Sequence, residues 1–376
     1  MSSISSISSI SSISPISHVP MDSQLSLHDF RPRSMLRRPA HHVDQPRYPV
    51  LDMHNHSQWG GPWQVTDISG LVAEMDAARV AAMVDLDGGN GDRLKTHLER
   101  FRGPYPDRFS VFASCDWGRH LPYDDFGDRM ARDLRASVAA GAEGLKVWKE
   151  LGLTLKDNQD RLIALDDVRL VPLFAAAGEL HVPILIHVAD PMAFFEPLDA
   201  ANERYEELIR HPDWHFYGPA FPTFDRLMEQ FEHVLERHPD TLFIGAHVAS
   251  LAEDLGRARG LMKRRPNLVV DIAARTAELG RQPRATREFL GEAAGRVVFG
   301  LDDWPARARD YRVVYRMLET TDEYFPYTSD PDAHPGAQGR WCIYGADVDD
   351  TALRALYYET ALGILPRLRT AVERMA

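Results

Sequence analysis

The chain has 376 residues, of which 44% are hydrophobic, and its 55 acidic residues outnumber its 43 basic residues to give a formal net charge of −12. This composition is typical of a globular protein, and the excess of acidic residues argues against a general nucleic-acid-binding protein. The two cysteines argue against a disulfide-stabilised secreted protein, and no apolar run reaches the roughly 20 residues of a membrane-spanning helix.

Residues 1–47 have the composition of an N-terminal arm. Residues 2–13 repeat Ser-Ser-Ile four times, without the basic leader and continuous apolar core of a secretion signal. We therefore predict disorder over residues 1–20 and a cytoplasmic location. We expect the basic part of the arm to pack along an acidic surface of the same chain or of a sister subunit. Its arginines are Arg31, Arg33, Arg37, Arg38 and Arg47.

Residues 48–376 show short apolar runs that alternate with amphipathic stretches, which predicts one α/β domain. Such alternation builds parallel sheets, and eight units favour a closed (β/α)8 barrel. The alternative is an open doubly wound sheet, but the glycine-rich turn typical of that fold does not follow the first run. Two helical patterns after the last run, at 311–320 and 352–365, predict a C-terminal helical extension. The eight predicted strands are 48–53, 81–86, 109–115, 144–148, 183–188, 241–246, 268–272 and 297–300.

Polar side chains stand at the ends of four predicted strands. Alternate side chains of a strand share a face, so Asp52, His54 and His56 are predicted to face the same point. The strands at 183–188, 241–246 and 297–300 are followed or ended by His187, His247 and Asp302. In this fold the carboxyl ends of the strands carry the chemistry, so these groups are predicted to meet.

Three imidazoles and a carboxylate form a donor set that suits Zn²⁺ or a similar divalent metal. Such a metal lowers the pKa of a water molecule and polarises a carbonyl group. A further histidine outside the ligand set can then transfer protons.

The chain resembles the amidohydrolase superfamily, most closely the branch that includes decarboxylases related to aminocarboxymuconate semialdehyde decarboxylase. The resemblance implies that His54, His56, His187 and Asp302 bind the metal, most simply zinc, with manganese or another divalent ion as alternatives. It also implies that His247 transfers protons, or is a further ligand if two metals bind. The motifs that carry the resemblance are Asp52-Met53-His54-Asn55-His56, Ile186-His187, Ala246-His247 and Phe299-Gly300-Leu301-Asp302.

Two assignments stay open. Asp303 follows Asp302 directly and competes with it for the ligand role, although the motif favours Asp302. Lys146 and Lys149 lie at the end of the fourth predicted strand, where some branches of the superfamily carry a lysine that bridges two metals. A charge that holds a substrate carboxylate, or a structural ion pair, is the favoured role for these lysines.

Aromatic and basic side chains near the strand ends indicate a pocket for a small, largely apolar or aromatic molecule. Trp59 and Trp148 are predicted to contact the substrate, and Lys149 and Arg275 are candidates to bind its carboxylate. The segment 194–222, after the fifth strand, is too long for a plain connection and is predicted to form a lid or an oligomer contact. We expect a homodimer, and neither a nucleic acid nor a membrane as partner.

The predicted function is a metal-dependent hydrolase that cleaves a C–N or C–O bond at a carbonyl carbon with a metal-activated water. Asp302 is predicted to take the proton of that water, and His247 to stabilise the oxyanion or relay protons. The principal alternative is a nonoxidative decarboxylase of an aromatic or unsaturated acid, and a carbon–oxygen lyase is a third. A non-catalytic binding barrel predicts the loss of at least one ligand, and none is missing from the sequence.

Overall fold

The structure is a computed structural model that describes residues 26, 34–57, 64–304, 306–329 and 338–376. The chain divides into two compact units, Met1–Arg38 and Pro39–Ala376. In the first unit, the described residues belong to no helix or strand. The predicted disorder at residues 1–20 and the candidate Trp59 lie outside the described residues.

Each of the eight predicted strands overlaps a strand of the structure, and the neighbours that pair are parallel. Buried, β-branched and apolar residues dominate these segments, as is typical of strands covered on both faces. The third predicted strand is split in two at Phe112, so that nine segments result. They are β1 (Val50–Asn55), β2 (Val80–Asp85), β3 (Phe109–Val111), β4 (Ala113–Ser114), β5 (Leu145–Val147), β6 (Ile184–Ile186), β7 (Phe243–Gly245), β8 (Leu268–Asp271) and β9 (Val297–Val298).

Backbone hydrogen bonds close these segments into a barrel. The strands form two ladders, β1-β2-β3 and β4-β5-β6-β7-β8-β9. Phe112 N donates to Asp85 O over 2.9 Å where the first ladder meets the second. At the other seam, Met53 N donates to Phe299 O over 2.9 Å, and Asp302 N donates to His54 O over 2.8 Å. The predicted (β/α)8 barrel is therefore confirmed.

Helices follow the strands and surround the barrel. The helix Phe224–Arg237 ends before Pro239, and the helix Leu255–Arg264 ends before Pro266, since proline cannot continue a helix. The other α-helical segments in the described chain are Ile68–Ala77, Gly91–His97, Trp117–His120, Phe126–Ala140, Val171–Glu179, Tyr205–Leu208, Thr276–Arg281, Pro283–Glu292, Ala308–Glu319, Asp350–Arg354, Thr360–Ile364 and Arg369–Glu373. Two single turns with non-helical backbone angles inside them are Glu150–Leu153 and Ala246–Ala249. Short 3₁₀ or π segments are Leu98–Arg102, Val168–Leu170, Met192–Phe195, Pro212–Trp214, Ala355–Glu359 and Pro366–Leu368.

Alternate strand residues pack into two different apolar clusters. Leu185, Ile244 and Val269 belong to a cluster inside the barrel, whereas Ile184 and Phe243 belong to a larger cluster that packs against the helices. The C-terminal helical extension adds its apolar residues from 361 to 372 to the inner cluster.

The C-terminal extension closes the amino ends of the strands. Arg79, just before β2, donates from Nη2 to Met375 O over 2.8 Å, and Arg367 donates from Nη2 to Phe109 O at the start of β3 over 2.8 Å. The carboxyl ends of the strands therefore remain open to ligands. Within the described chain, no helix is both long enough and apolar enough to span a bilayer.

Candidate metal centre

Two histidines of β1 each donate a hydrogen bond from Nδ1 to a buried carboxylate. His54 Nδ1 donates to Asp271 Oδ2 over 2.8 Å, and His56 Nδ1 donates to Asp87 Oδ1 over 3.0 Å. Because a neutral imidazole carries one proton, these bonds leave the lone pair of each ring on Nε2. Carboxylates that orient histidines in this way are common behind metal ligands.

His247 has the same orientation, held by a backbone carbonyl. Its Nδ1 donates to Ala273 O over 2.8 Å, and its ring centroid lies 4.9 Å from that of His54. Burial lowers the pKa of both His54 and His247 well below the usual 6.5, so both rings are neutral at pH 7. Neutral imidazole is the form that binds a metal.

The Nε2 atoms of these three histidines converge on Asp302. Its Oδ1 lies 3.4 Å from His56 Nε2 and 3.8 Å from His54 Nε2, and its Oδ2 lies 3.7 Å from His247 Nε2. Asp302 Oδ1 is buried and has no hydrogen-bond partner within the described chain. His54, His56 and Asp302 offer donor atoms within 4.8 Å of one another, a spacing that fits a metal ion.

The backbone sets Asp302 apart from Asp303. Asp302 has a φ of 56°, in the left-handed region, while its N–H donates to His54 O over 2.8 Å. This conformation turns the Asp302 side chain towards the histidines. Asp303 is exposed and belongs to neither group of donors that fit a metal.

Asp52 does not share the face of His54 and His56, contrary to the prediction from strand alternation. The register between β1 and β2 shifts between Asp52 and Asn55. Asp52 instead accepts hydrogen bonds from Tyr311 Oη at 2.6 Å and from Leu301 N at 3.2 Å. It connects β1 to the segment after β9 and holds the two ligand-bearing segments together.

His187 lines the same cavity as the other three histidines, and its buried Nε2 has no hydrogen-bond partner in the described part of the chain. Its ring lies 4.4 Å from that of His247, and its Nε2 lies 3.5 Å from Asp190 Oδ1. Burial lowers the pKa of His187 to about 4, against the opposing effect of Asp190. His187 is in neither of the two groups whose donors lie within 4.8 Å of one another.

A left-handed turn positions His247 after β7. Residues His247, Val248, Ala249 and Ser250 have φ values of 59°, 59°, 54° and 63°. Such a run of non-glycine residues is unusual, because each left-handed L-residue costs about 1–2 kcal/mol. Ser250 Oγ accepts a hydrogen bond from Ala189 N over 3.1 Å, which joins the turn to the segment after His187.

The sequence interpretation missed the two carboxylates that orient the histidines. Asp271 ends an apolar strand and also accepts a hydrogen bond from His247 N over 2.8 Å. Burial raises the pKa of Asp271 to about 6, against backbone hydrogen bonds that lower it. His54, His247 and Asp271 form a second group of donors within 4.8 Å of one another. The signal in the sequence that could have indicated Asp271 is a carboxylate within an apolar run. Asp87 directly follows the second apolar run.

Lys146 lies beside the candidate ligands. Its side chain is buried, and its Nζ is 3.4 Å from His54 Nε2. Burial lowers the pKa of Lys146 to about 8, against the carboxylates of Asp302 and Asp271 that raise it. Its Nζ also lies 4.8 Å from the ring centroid of Trp148.

A cavity of about 400 Å³ opens directly onto the candidate centre. Trp148 stacks on His56 with centroids 4.8 Å apart, and Trp304 meets the same ring edge-on at 5.8 Å. The segment 194–222 adds Phe194 and Trp214, whose rings stack 6.4 Å apart. The candidate metal-binding groups and an aromatic wall therefore line the same cavity.

The two basic residues predicted to bind substrate both line this cavity. Lys149 Nζ lies 2.5 Å from Asp190 Oδ2 and 5.5 Å from the ring centroid of Phe216. Lys149 therefore contacts the segment 194–222 from the end of β5. Arg275 is 6% exposed and donates from Nη1 to Ala274 O over 2.8 Å.

Solved structures of low sequence identity share this fold. An uncharacterized TIM-barrel protein from Bordetella bronchiseptica is 14% identical, with a TM-score of 0.51 and coverage of 85% of this chain and 99% of that one. The 2,6-dihydroxybenzoate decarboxylase from Rhizobium is 15% identical, with a TM-score of 0.53 and the same coverage of 85% and 99%. The 5-carboxyvanillate decarboxylase from Sphingomonas paucimobilis is 12% identical, with a TM-score of 0.51 and coverage of 85% and 99%.

A search of curated proteins finds no match to this chain. The family model described as amidohydrolase matches residues 105–367, more than half of the sequence. That range includes the strand ends that carry His187, His247 and Asp302. On this match, the chain belongs to the amidohydrolase family.

Proposed function

We propose that the protein is a metal-dependent hydrolase that cleaves a C–N or C–O bond in a small aromatic or apolar carbonyl compound. The observation that carries the proposal is the convergence of three Nε2 atoms on the carboxylate of Asp302, whose Oδ1 has no hydrogen-bond partner among the described residues. We assign His54, His56 and Asp302 as ligands. His187 stays a predicted ligand on the strength of the family resemblance.

The donor set of imidazole nitrogens and one carboxylate suits zinc, with manganese as the alternative. A divalent metal supplies Lewis acidity, which polarises a carbonyl and lowers the pKa of a water molecule. The residues of the chain supply the rest. Asp271 and Asp87 hold the rings of His54 and His56 in the tautomer that binds a metal.

We assign proton transfer to Asp302 and His247. Asp302 Oδ1 lies beside the Nε2 atoms of His54 and His56 and would bind the metal, so Oδ2 is the oxygen that can accept a proton from a nucleophilic water. His247 Nε2 lies 3.7 Å from Asp302 Oδ2 and can pass that proton to the leaving group. Trp148 and Trp304 exclude bulk water around His56 and position an aromatic body.

The second candidate is a nonoxidative decarboxylase on the same centre. The observation that favours it is the combination of buried cations, Lys146 and Arg275, with an aromatic wall, which suits an aromatic acid. In that reaction the bond to the carboxylate carbon breaks as carbon dioxide leaves, and the ring carbon receives a proton that comes from water and is relayed through Asp302 and His247 Nε2.

The test is to assay the metal-loaded protein against aromatic esters, lactones and amides, and in parallel against hydroxybenzoic acids for carbon dioxide release. Hydrolysis without carbon dioxide release supports the first candidate, and the reverse result replaces it with the second. We expect His247→Asn to lower kcat by about 100-fold or more. The exposed His233, which pairs with Asp166, provides the control His233→Asn, which should retain full activity.

A further inference from the structure

Four basic side chains line the cavity beside the candidate centre, and three of them have close partners there. Lys146 Nζ lies 3.4 Å from His54 Nε2, and Lys149 Nζ lies 2.5 Å from Asp190 Oδ2. Arg204 is paired with two buried glutamates, Glu207 at 2.8 Å and Glu278. Arg275 is the fourth.

Arg275 differs because no carboxylate of the described chain lies within ion-pair distance of it. Among the described residues, the side chain of Arg275 forms one hydrogen bond, which Nη1 donates to the carbonyl of Ala274, although only 6% of the residue is exposed. Burial of a guanidinium without a counterion is costly, and a neutral carbonyl compensates little of that cost. A bidentate anion is the partner that this planar group binds best.

The charge of Arg275 acts on both sides of the cavity. On the metal side, burial and then the Arg275 charge lower the pKa of His247. On the other side, burial raises the pKa of Glu253, and the Arg275 charge opposes that rise. Arg275 therefore acts electrostatically on the candidate metal centre and on the glutamates Glu207 and Glu253.

A structural role as counterion to those glutamates is the competing explanation. Arg204 already forms ion pairs with Glu207 and Glu278, so these two carboxylates have a cation of their own. Glu253 Oε1 accepts a bond from Met192 N, and its Oε2 has no hydrogen-bond partner in the described part of the chain, Arg275 included. The position of Arg275 in the cavity wall thus leaves its charge available to a ligand.

We propose that Arg275 binds an anionic group of the substrate, which is therefore an aromatic carboxylic acid whose carboxylate is held away from the reacting carbonyl. This inference rests on the proposed function and narrows its substrate class. The aromatic body would lie along Trp148 and Trp214, with the reacting group at the histidines. Lys149 is not the anion-binding residue, because Asp190 already neutralises it.

The experiment compares the binding of benzoate with that of its uncharged analogue benzamide. Binding is measured by quenching of tryptophan fluorescence or by calorimetry. In the metal-loaded wild-type protein, benzoate should bind about tenfold more tightly or better. Arg275→Met should remove this preference, and Arg226→Met, at an exposed arginine that does not line the cavity, should retain it. Equal affinity for the two compounds, or a preference that survives in Arg275→Met, would overturn the proposal.

Two further measurements distinguish loss of the anion site from misfolding and from binding of benzoate to the metal. Arg275→Lys keeps the charge but loses the bidentate geometry, so we expect it to fold and to show an intermediate preference. If Arg275→Met does not fold, an unchanged preference in Arg275→Lys contradicts the proposal. The titrations are repeated after chelation of the metal, because benzoate can also bind a cation. A preference that depends on Arg275 in a protein that binds no metal would sustain the anion site and refute the metal-dependent function.

Discussion

At the scale of single residues, the candidate centre depends on which nitrogen of each histidine is free. Each Nδ1 donates a hydrogen bond, from His54 to Asp271, from His56 to Asp87 and from His247 to the carbonyl of Ala273. Each ring therefore presents the lone pair of Nε2. The groups that accept these hydrogen bonds therefore fix the orientation of the candidate ligands.

Asp271→Asn tests that dependence. The amide can still accept the bond from His247 N, but it carries no charge to hold the proton on His54 Nδ1. We expect metal affinity to fall by about 10- to 100-fold, measured by competition with a chromogenic chelator. Asp166→Asn is the control, since Asp166 pairs with the exposed His233 and does not line the cavity. Unchanged affinity in Asp271→Asn would contradict this role.

Sequence reasoning reached His54, His56, His247 and Asp302, because strand ends in a barrel of this kind share one face. It placed Asp52 with them incorrectly, since a local shift in register is invisible in the sequence. It also did not foresee that Lys149 pairs with Asp190 or that Arg275 has no such partner. Those features depend on side-chain contacts between segments far apart in the chain.

At the scale of elements, the left-handed turn after β7 is the most strained local feature near the centre. Ala249 has a φ of 54°, whereas Ala246, equally buried at the start of the same turn, is not among the residues with positive φ. Glycine relieves left-handed strain, but it also removes a buried methyl group at both positions.

We therefore expect Ala249→Gly to be more stable than Ala246→Gly by about 1–2 kcal/mol, the cost of one left-handed residue. Urea denaturation of the two variants measures this difference in the free energy of unfolding. If both variants lose the same stability, the turn stores no strain at residue 249.

The end of the helix Phe224–Arg237 makes stability depend on pH. Burial and, to a smaller extent, the charge of Arg237 lower the pKa of His238 from its usual 6.5 to about 4. Between these two values the unfolded chain binds more protons than the folded one, so the free energy of unfolding falls as the pH falls from 7 to 5.

His238→Phe keeps the ring beside Phe174 and removes the titration. We expect the loss of stability from pH 7 to pH 5 to be smaller in this variant than in the wild type by about 1 kcal/mol. Denaturant titrations at the two pH values measure the effect. A variant that loses as much stability as the wild type would show that His238 does not contribute.

The elements themselves were well predicted because buried parallel strands are continuous apolar runs, and proline marks two of the helix ends. The break of the third strand at Phe112 was not predicted, since both halves are equally apolar. Helix starts were also displaced by a few residues, for example to Ala308 instead of the predicted residue 311. The N-terminal turns of helices are less hydrophobic and so give a weaker periodic signal.

At the scale of the whole molecule, the centre joins β1 to β8 and to the segment after β9. A bound ion therefore cross-links distant parts of the barrel and should stabilise the fold. At a free metal concentration about 100 times Kd, we expect a gain of about 2.7 kcal/mol in the free energy of unfolding. Thermal unfolding with and without a chelator should show a higher Tm for the metal-loaded protein, and His54→Asn should abolish the difference.

The predicted homodimer stays a prediction, for which sedimentation is the direct test.

The central claim is that His54, His56 and Asp302 share one metal ion, and the adjacent aspartates allow the sharpest test of it. Asp302 lies among the histidines, while Asp303 is its exposed neighbour in the same segment. The metal content of purified, folded Asp302→Asn and Asp303→Asn should be measured by plasma mass spectrometry after equal metal loading. The account predicts that Asp303→Asn keeps the wild-type stoichiometry and that Asp302→Asn loses most of its metal. Full metal content in Asp302→Asn, or loss only in Asp303→Asn, would contradict it.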